Sequence, residues 1–384
     1  MSSINLTLLI NLATVCLSVA ATCNQTDYVQ QVQDQAATAL LAEEPNAVLI
    51  RNSTCTLENA GVRRNWEALN REEKHDYIRA VNCMFDAPAR TDPSLAGARV
   101  RYDDFAAQHI NQTLSVHVTG NFLTWHRHYI WSYEQALRNE CGYKGYLPYW
   151  NWFSYQDDLR RSPVFDGSDT SVGSDGLFVQ HNGSTGTAGL HIPSGLGGGC
   201  IATGPFSNLT ANLGPVQPQQ DGLVGVGRDN KLVYNPHCIT RDLSSWLASR
   251  IYTREAFLNA TVRVTARDIA SFQSEIELQS NGLPGIHSGG HQTLSGANSD
   301  LYSGVTDPAF YVHHAMVDRL YWMWQALHYD QRKTISGTIT FGNNPVSRNA
   351  TLDDLIELPF LDVETAAIGN LLDTLDGPYC YRYE

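Results

Sequence analysis

The pattern of hydrophobic and polar positions along the chain predicts a mainly α-helical protein. Apolar residues recur three and four positions apart in six segments, a spacing that places them on one face of a helix. The predicted helices cover residues 28–41, 70–84, 102–111, 126–139, 265–278 and 314–327. Glu43, Glu44 and Pro45 are expected to end the first helix, and Asn70 with Glu73 forms a capping-box pattern at the second.

Residues 155–235 interrupt this helical pattern and are rich in Gly, Ser, Asp, Asn and Pro. The apolar side chains that this segment could bury are Phe165, Phe178, Phe206 and Leu209. We therefore expect a long irregular loop insertion within one domain rather than a linker. Four predicted helices surround the His-rich segments, and the insertion separates these helices into two pairs. The prediction is a four-helix bundle core around a metal site, with long irregular loops and few short strands.

The N-terminus predicts a signal peptide over residues 1–21. Residues 4–21 form a long apolar stretch, interrupted by Asn5 and Asn11, and small residues precede a cleavage site after Ala21. No Lys or Arg precedes the stretch, so a buried N-terminal helix is the alternative. We expect a secreted, extracellular protein whose residues 22–384 form a single domain.

Sequons and cysteines favour the same compartment. Seven Asn-x-Ser/Thr sequons lie beyond the predicted cleavage site, at Asn24, Asn52, Asn111, Asn182, Asn208, Asn259 and Asn349. Cys16 would leave with the signal peptide, and seven Cys remain. An oxidising compartment allows up to three disulfide bonds and one leftover thiol, in a connectivity that the sequence does not define.

Composition narrows the classes of partner. Hydrophobic residues make up 42% of the chain, so it can bury a substantial core. The 26 Lys and Arg against 39 Asp and Glu give a net charge of −13. This charge argues against duplex nucleic acid and against a polybasic contact with a membrane surface.

Six of the thirteen His fall into two groups with the spacing of metal ligands. The first group is His109, His117 and His126, expected on a short helix, on a loop and at the start of a helix. The second is His287, His291 and His314, although Gly289 and Gly290 weaken the prediction of a helix between the first two. Imidazole suits copper and zinc, and three converging rings leave open positions on the ion. Neither group includes an obvious carboxylate ligand.

Two long runs around these His resemble the copper signatures of the tyrosinase family. Residues 117–134 read HVTGNFLTWHRHYIWSYE, and residues 307–318 read DPAFYVHHAMVD. Tyr379-Cys380-Tyr381 also resembles the tyrosine motif that closes the core domain of this family. The resemblance covers nearly the whole mature chain and is greatest to short, secreted fungal members.

The resemblance implies a role for each matched residue. One copper ion would be held by His109, His117 and His126, and the other by His287, His291 and His314. Phe310 would pack near the metals and contact substrate, and Asp318 would orient a ligand ring or pair with Arg127. His128 and His313 adjoin ligands but fall outside the pattern, so we expect them to support the ligand residues from outside the metal site or to pack. No catalytic residue beyond the copper ligands is implied.

Three positions depart from common members of the family. Ser288 follows the first ligand of the second copper, where strong monophenol oxidases often have Asn, which with a Glu holds a water. Gln292 follows the second ligand, and we expect both Ser288 and Gln292 to contact substrate. Ser115 replaces a Cys that in many relatives forms a thioether, so His117 is expected to be held by packing alone.

The resemblance implies a dicopper phenol oxidase that uses dioxygen to oxidise o-diphenols to o-quinones. Aminophenols and, weakly, monophenols are further candidate substrates. The expected partners are therefore small phenolic molecules, and no protein partner is evident. The alternatives are a haemocyanin-like dioxygen carrier with the same dicopper site, and a non-catalytic secreted protein with structural metal.

Overall fold

The computed structural model describes residues 27–50, 54–263, 267–277 and 281–384. The α-helices in these ranges are α1 Asp27–Ile50, α2 Arg71–Asp86, α3 Arg101–Val116, α4 Phe122–Asn139, α5 Ser245–Ile251, α6 Arg254–Thr261, α7 Ile269–Glu277, α8 Ile286–Leu294 and α9 Ala309–Leu327. The strands are β1 Gly61–Arg63, β2 Gly176–Phe178, β3 Ser184–Thr185, β4 His191–Ile192, β5 Gly198–Ile201, β6 Thr210–Ala211, β7 His237–Cys238, β8 Leu355–Ile356, β9 Ala366–Ala367 and β10 Tyr381–Tyr383. The predicted fold class, mainly α with few short strands, is confirmed.

The strands form isolated pairs rather than a continuous sheet. β1 pairs in parallel with β10, so residues 61–63 lie beside residues 381–383. The antiparallel pairs are β2 with β5, β3 with β4, β6 with β7, and β8 with β9. Strand pairs this short bury few side chains, so the core is formed mainly by the helices.

Helix α9 is the centre of the core. Its residues from Ala309 to Ala326 are all buried, because α1, α4, α6 and α8 pack around it. A helix that is apolar on most sides is stable only when it is covered in this way. α3 and α4 pack on each other, and α4 and α8 both pack on α9, which brings the two predicted His groups into one core.

Helix boundaries follow local chemistry in one case and tertiary packing in another. The capping box predicted for α2 is present, with Asn70 Oδ1 accepting from Glu73 N and Glu73 Oε2 accepting from Asn70 N, both at 2.9 Å. The predicted end of α1 at residues 43–45 is wrong, because the helix continues through Pro45 to Ile50. Proline removes one backbone hydrogen bond. That loss does not end a helix whose earlier turns are held against α9.

The segment 155–235 packs against the helical core as an irregular layer with β2 to β6. Phe165 and Phe206 are buried as predicted, and Leu209 packs partly against the core. Phe178 was expected to be buried but is 68% exposed. It lies on β2, whose only partner is the short strand β5, so nothing in the described residues covers its outer face.

Three disulfide bonds join Cys55 to Cys380, Cys83 to Cys141, and Cys200 to Cys238. This number agrees with the maximum inferred from the sequence, and Cys23 lies outside the described residues, as does the predicted signal peptide. None of the helices in the described ranges is both long and apolar enough to span a membrane. Glycosylation stays a prediction.

Candidate metal centre

The first His group comes together where α3 ends and α4 begins. His109 lies on α3, His117 follows the last residue of α3, and His126 lies one turn into α4. One ring nitrogen of each lies within 4.8 Å of the others, and all three side chains are buried. The predicted positions on a helix, on a loop and near a helix start are confirmed.

Each ring of this group is oriented by a backbone carbonyl. The Nδ1 contacts are His109 to Tyr302 O at 2.8 Å, His117 to Thr113 O at 2.9 Å and His126 to Phe122 O at 2.8 Å. A carbonyl only accepts, so Nδ1 carries the hydrogen and Nε2 keeps its lone pair. The expectation that His117 is held by packing alone is therefore wrong.

The second His group lies on α8 and α9. His287 and His291 are one turn apart on α8, and His314 lies on α9. His291 Nε2 lies 3.2 Å from His287 Nε2 and 3.0 Å from His314 Nε2. The Nδ1 of His291 contacts Asn298 Oδ1 at 2.8 Å, which orients this ring. Three Nε2 atoms thus point at one small volume.

The expectation that Gly289 and Gly290 disfavour a helix between His287 and His291 is wrong, because both glycines lie within the helix α8. A Cβ at Gly289 would lie 2.4 Å from Ile251 Cδ1, and one at Gly290 would lie 2.1 Å from His313 Cε1. Both distances are far shorter than a normal carbon–carbon contact. Glycine is therefore required where α8 lies against α5 and α9, which outweighs its low helix propensity.

The two groups face each other across aromatic side chains. The rings of His126 and His314 stack with centroids 4.6 Å apart and planes 12° apart. Phe310 stacks on His314 at 4.1 Å and meets His109 edge-on at 5.1 Å. Phe122 packs between His126 and His287. The placement of Phe310 beside both groups agrees with its predicted position.

His313 lies beside the second group. One of its ring nitrogens falls within 4.8 Å of those of His287, His291 and His314. Its ring is parallel to that of His287 at 5.7 Å and also packs on Trp152. Its neighbour in sequence, His314, is the residue that completes the close set of Nε2 atoms.

His128 lies apart from both groups. Its Nδ1 contacts the hydroxyl of Tyr379 at 3.1 Å, and its ring stacks on Trp131. It belongs to neither of the metal-sized His clusters found among the described residues. The expectation that His128 packs agrees with this position.

Burial keeps the site imidazoles neutral. Desolvation lowers the pKa of His117 and of His291 to about 4, and burial together with neighbouring His lowers the pKa of the other four below the usual range. A neutral imidazole offers a lone pair, which a metal needs. His109 Nε2 and His126 Nε2 are buried without a hydrogen-bond partner among the described residues. Two all-imidazole donor sets with lone pairs directed inward fit copper ions.

Arg127 and Asp318 lie in a buried network of charges beside the two His groups. Arg127 Nε donates to Asp318 Oδ1 at 2.6 Å, and Arg63 Nη1 donates to Asp318 Oδ2 at 3.1 Å. The hydroxyls of Tyr381 and Tyr383 also donate to Asp318 Oδ2, both at 2.7 Å. Burial alone would raise the pKa of Asp318, but the two guanidinium groups bring it below its usual value. Of the two predicted roles, the contact with Arg127 is the one observed.

A pocket opens beside the rings. Its volume is about 70 Å³, and it is lined by His109, His117, Thr187, Gln219, His287, Ser288, His291, Gln292, Asn298, Ser299, Asp300, Leu301, Gly304 and Phe310. Ser288, Gln292 and Phe310 were singled out from the sequence. Thr187 and Gln219 were missed, because they lie in the irregular segment where no motif or period marks them.

A carboxyl group that the sequence could not place lies next to Ser288. Ser288 Oγ donates to the backbone carbonyl of Glu277 at 2.9 Å, and Glu277 Oε1 accepts from Val118 N at 3.3 Å. Val118 follows His117, and Ser288 follows His287, so Glu277 contacts the backbone next to one group and a side chain next to the other. Burial raises the pKa of Glu277 to about 7.

Known proteins share both the sequence and the architecture. Residues 99–327 match the family model for the common central domain of tyrosinase. Tyrosinase P of Aspergillus terreus is 37% identical over 343 residues, which cover 85% of this chain and 92% of that protein. N-acetyl-6-hydroxytryptophan oxidase ivoB of Emericella nidulans is 35% identical over 350 residues, covering 86% and 94%.

A solved structure agrees over the whole fold. A polyphenol oxidase variant from Thermothelomyces thermophila has a TM-score of 0.86 and 34% identity, and the match covers 94% of this chain and 99% of that one. Family members bind a dicopper centre, and the two His groups described above could hold it. The chain belongs to the tyrosinase family and is a copper oxidoreductase.

Proposed function

We propose that each His group holds one copper ion and that the protein oxidises o-diphenols to o-quinones with dioxygen. The ligands would be His109, His117 and His126 for one ion and His287, His291 and His314 for the other. The observation that carries this proposal is the inward direction of the Nε2 lone pairs, set in the first group by three backbone carbonyls.

A bound copper pair would accept two electrons from each diphenol and pass four to dioxygen over two turnovers, giving two quinones and two waters. The contribution of the protein is to bind the ring and to restrict water. Phe310, 1% exposed, offers an apolar surface against both groups. The pocket of about 70 Å³ that opens beside the rings is where we propose that the phenol ring enters.

We propose that monophenols are oxidised weakly. Deprotonation of a phenol needs a base in a fixed position beside the substrate. The hydroxyl side chain at position 288 is short, so it positions such a base less well than a longer side chain would. Ser288 directs its proton to the carbonyl of Glu277 at 2.9 Å, so it offers the pocket only an oxygen lone pair. The Glu277 carboxyl, with a pKa of about 7, is the group through which a longer side chain at this position could hold a water.

The proposal includes a secreted protein with a signal peptide over residues 1–21 and one catalytic domain over residues 22–384. Three disulfide bonds support an oxidising compartment. Sequon asparagines with exposed side chains are Asn111, Asn182, Asn208 and Asn349. N-terminal sequencing of the secreted protein would test the cleavage after Ala21.

The substrates are proposed to be substituted phenols rather than catechol alone. The name of the ivoB relative specifies a hydroxytryptophan with an N-acetyl group as the substrate of that protein. We extend to this chain only the class of small ring-substituted phenols.

The experiment is a copper count and an oxygen-uptake assay on the same sample. We expect two copper ions per chain and oxygen uptake with 4-methylcatechol. His291→Ala should lose copper and activity, whereas His75→Ala, on the outer surface of α2 beside Asp169, should keep both. Full copper without oxidation of any o-diphenol would refute the oxidase proposal and favour a carrier. Two bound copper ions in His291→Ala would remove that residue from the ligand set.

A further inference from the structure

The irregular segment 155–235 contributes one wall of the pocket beside the His groups. Thr187 and Gln219 come from this segment, and Ser288 and Gln292 face them from α8. The pocket therefore has polar side chains from two distant parts of the chain around its opening. This wall determines what a ring substituent would meet.

The backbone that carries Gln219 is held firmly. The buried carboxylate of Asp300 accepts from Val216 N at 2.7 Å and from Gln217 N at 2.5 Å, which lie three and two residues before Gln219. The carbonyl of Gln219 itself accepts from Thr185 N at 3.0 Å. Hydrogen bonds to a buried carboxylate are among the stronger ones in proteins, so this wall is a fixed part of the site.

Two amide oxygens in the pocket lack a partner. Gln292 is 97% buried, since 3% of its surface is exposed, and its Nε2 donates to Thr187 Oγ1 at 2.5 Å. Gln292 Oε1 and Gln219 Oε1 are both shielded from solvent and have no hydrogen-bond partner among the described residues. Buried acceptors are usually paired in folded proteins, so a ligand that donates hydrogen bonds in this pocket would satisfy both oxygens.

We propose that Gln219 and Gln292 form an acceptor pair that selects phenols whose ring substituent carries a neutral N–H or O–H donor, such as a secondary amide. This proposal rests on the proposed oxidase function and specifies its substrate class.

A neutral donor is favoured over an ammonium group. The one carboxylate in the pocket lining, Asp300, accepts from four backbone N–H groups, those of Val216, Gln217, Tyr302 and Ser303. Its lone pairs are therefore already in use. A cationic substituent would therefore find no free carboxylate oxygen for a direct ion pair, and the remaining polar groups around it are neutral amide oxygens and buried imidazoles.

A matched pair of substrates tests the idea. Methyl 3-(3,4-dihydroxyphenyl)propanoate and the N-methyl amide of the same acid have the same length, but only the amide donates. We expect the amide to have a kcat/KM about tenfold higher, because a site with buried acceptors discriminates against a partner that leaves them unpaired. A ratio near one in the unmodified protein would overturn the proposal, and lack of activity on 4-methylcatechol would instead refute the oxidase function.

Variants separate recognition from general damage. Gln219→Leu should bring the amide-to-ester ratio toward one, and Gln219→Glu, which keeps an acceptor oxygen, should retain the preference. Gln217→Leu is the control, because this side chain of the same type is exposed and contacts Arg228. An equal change of the ratio in Gln217→Leu and Gln219→Leu would contradict the proposal.

A binding measurement provides a readout that needs no turnover. The 3,5-dihydroxyphenyl analogues of the same ester and amide cannot form o-quinones without prior ring hydroxylation, and calorimetry in the absence of oxygen gives their dissociation constants. We expect the amide analogue to bind about tenfold more tightly than the ester. Equal affinities would overturn the proposal even if the protein proved inactive, and a difference lost in Gln219→Leu would support it.

Discussion

Replacing Gly290 with Ala tests whether the packing of α8 on α9 positions the second copper ion. Gly290 touches no metal itself, but it lies directly before His291. Its added Cβ would lie 2.1 Å from His313 Cε1, 2.6 Å from His313 Nδ1 and 2.8 Å from Tyr252 Oη. An ordinary carbon–carbon contact is about 3.5–4.0 Å, so ring and helix must separate by about 1.5 Å.

The ring of His313 has little room to move away. It is fully buried, with Trp152 at 5.0 Å on one side and His287 at 5.7 Å on another. Forcing a methyl group into such packing costs about 1–3 kcal/mol of the free energy of unfolding. The displacement would also separate His291 on α8 from His314 on α9, whose Nε2 atoms lie 3.0 Å apart. Gly290→Ala should therefore lose the second copper ion and keep the first.

The assay combines copper analysis after dialysis with urea unfolding of the metal-free protein. Gly369→Ala is the control, because its Cβ would meet nothing closer than 3.4 Å. In the double variant with His313→Ala the penalty of Gly290→Ala should shrink, since the clashing ring is gone. A Gly290→Ala protein with both copper ions and unchanged unfolding would refute this account of the α8–α9 contact.

Three further substitutions have defined outcomes. Asp318→Asn leaves Arg63 and Arg127 without their shared carboxylate, and we expect urea unfolding to show a loss of about 3–5 kcal/mol, with a loss below about 1 kcal/mol counting against it. Ser288→Asn should raise the ratio of monophenol to diphenol oxidation rates. An unchanged ratio would contradict the proposal that the side chain at position 288 limits monophenol oxidation. The folded-state pKa of Glu277 is about 7 and its ordinary value is 4.5, so this carboxyl favours the folded state below pH 4.5 and the benefit is lost as pH rises to 7. The stability of the wild type relative to Glu277→Gln should therefore fall by up to about 3 kcal/mol between pH 4.5 and 7.5, and a constant difference would contradict the raised pKa.

Six of the described helices and the two His groups could be predicted because their signals are local, whereas α5, α6 and α8 were not predicted from periodicity. The spacing of His287 and His291 places both on one face of a helix, and the copper-signature resemblance supplied the other members. The capping box of Asn70 and Glu73 also depends only on neighbouring residues, and it forms as predicted. Local signals failed at Pro45, where packing of α1 on α9 outweighs a single helix-breaking residue.

The parts of the site that could not be predicted depend on contacts between distant segments. Gln219 lies 73 positions from Gln292 in sequence, yet both line one pocket. Glu277 reaches Val118 across 159 positions. His313 adjoins a predicted ligand, but its approach to α8 depends on the glycine at position 290. Periodicity and motif spacing contain no information about such pairs, because they describe one element at a time.

The charged residues of the copper signatures are explained by charge balance rather than by metal binding. Arg63, on β1, donates to Glu134 Oε2 at 2.9 Å on α4 and to Asp318 on α9, while Arg127 donates to the same Asp318. Two guanidinium groups thus meet two carboxylates in a volume shielded from water. Tyr381 on β10 completes the network, with Arg63 only 3.7 Å above its ring. Removing one charge would leave an unpaired ion beside the helices that carry the ligands. The resulting loss of stability is far larger than the net stabilisation that the intact pair provides. The pairing of β1 with β10 therefore helps to hold the helices that carry His126 and His314, because it positions Arg63 and Tyr381 against Glu134 and Asp318.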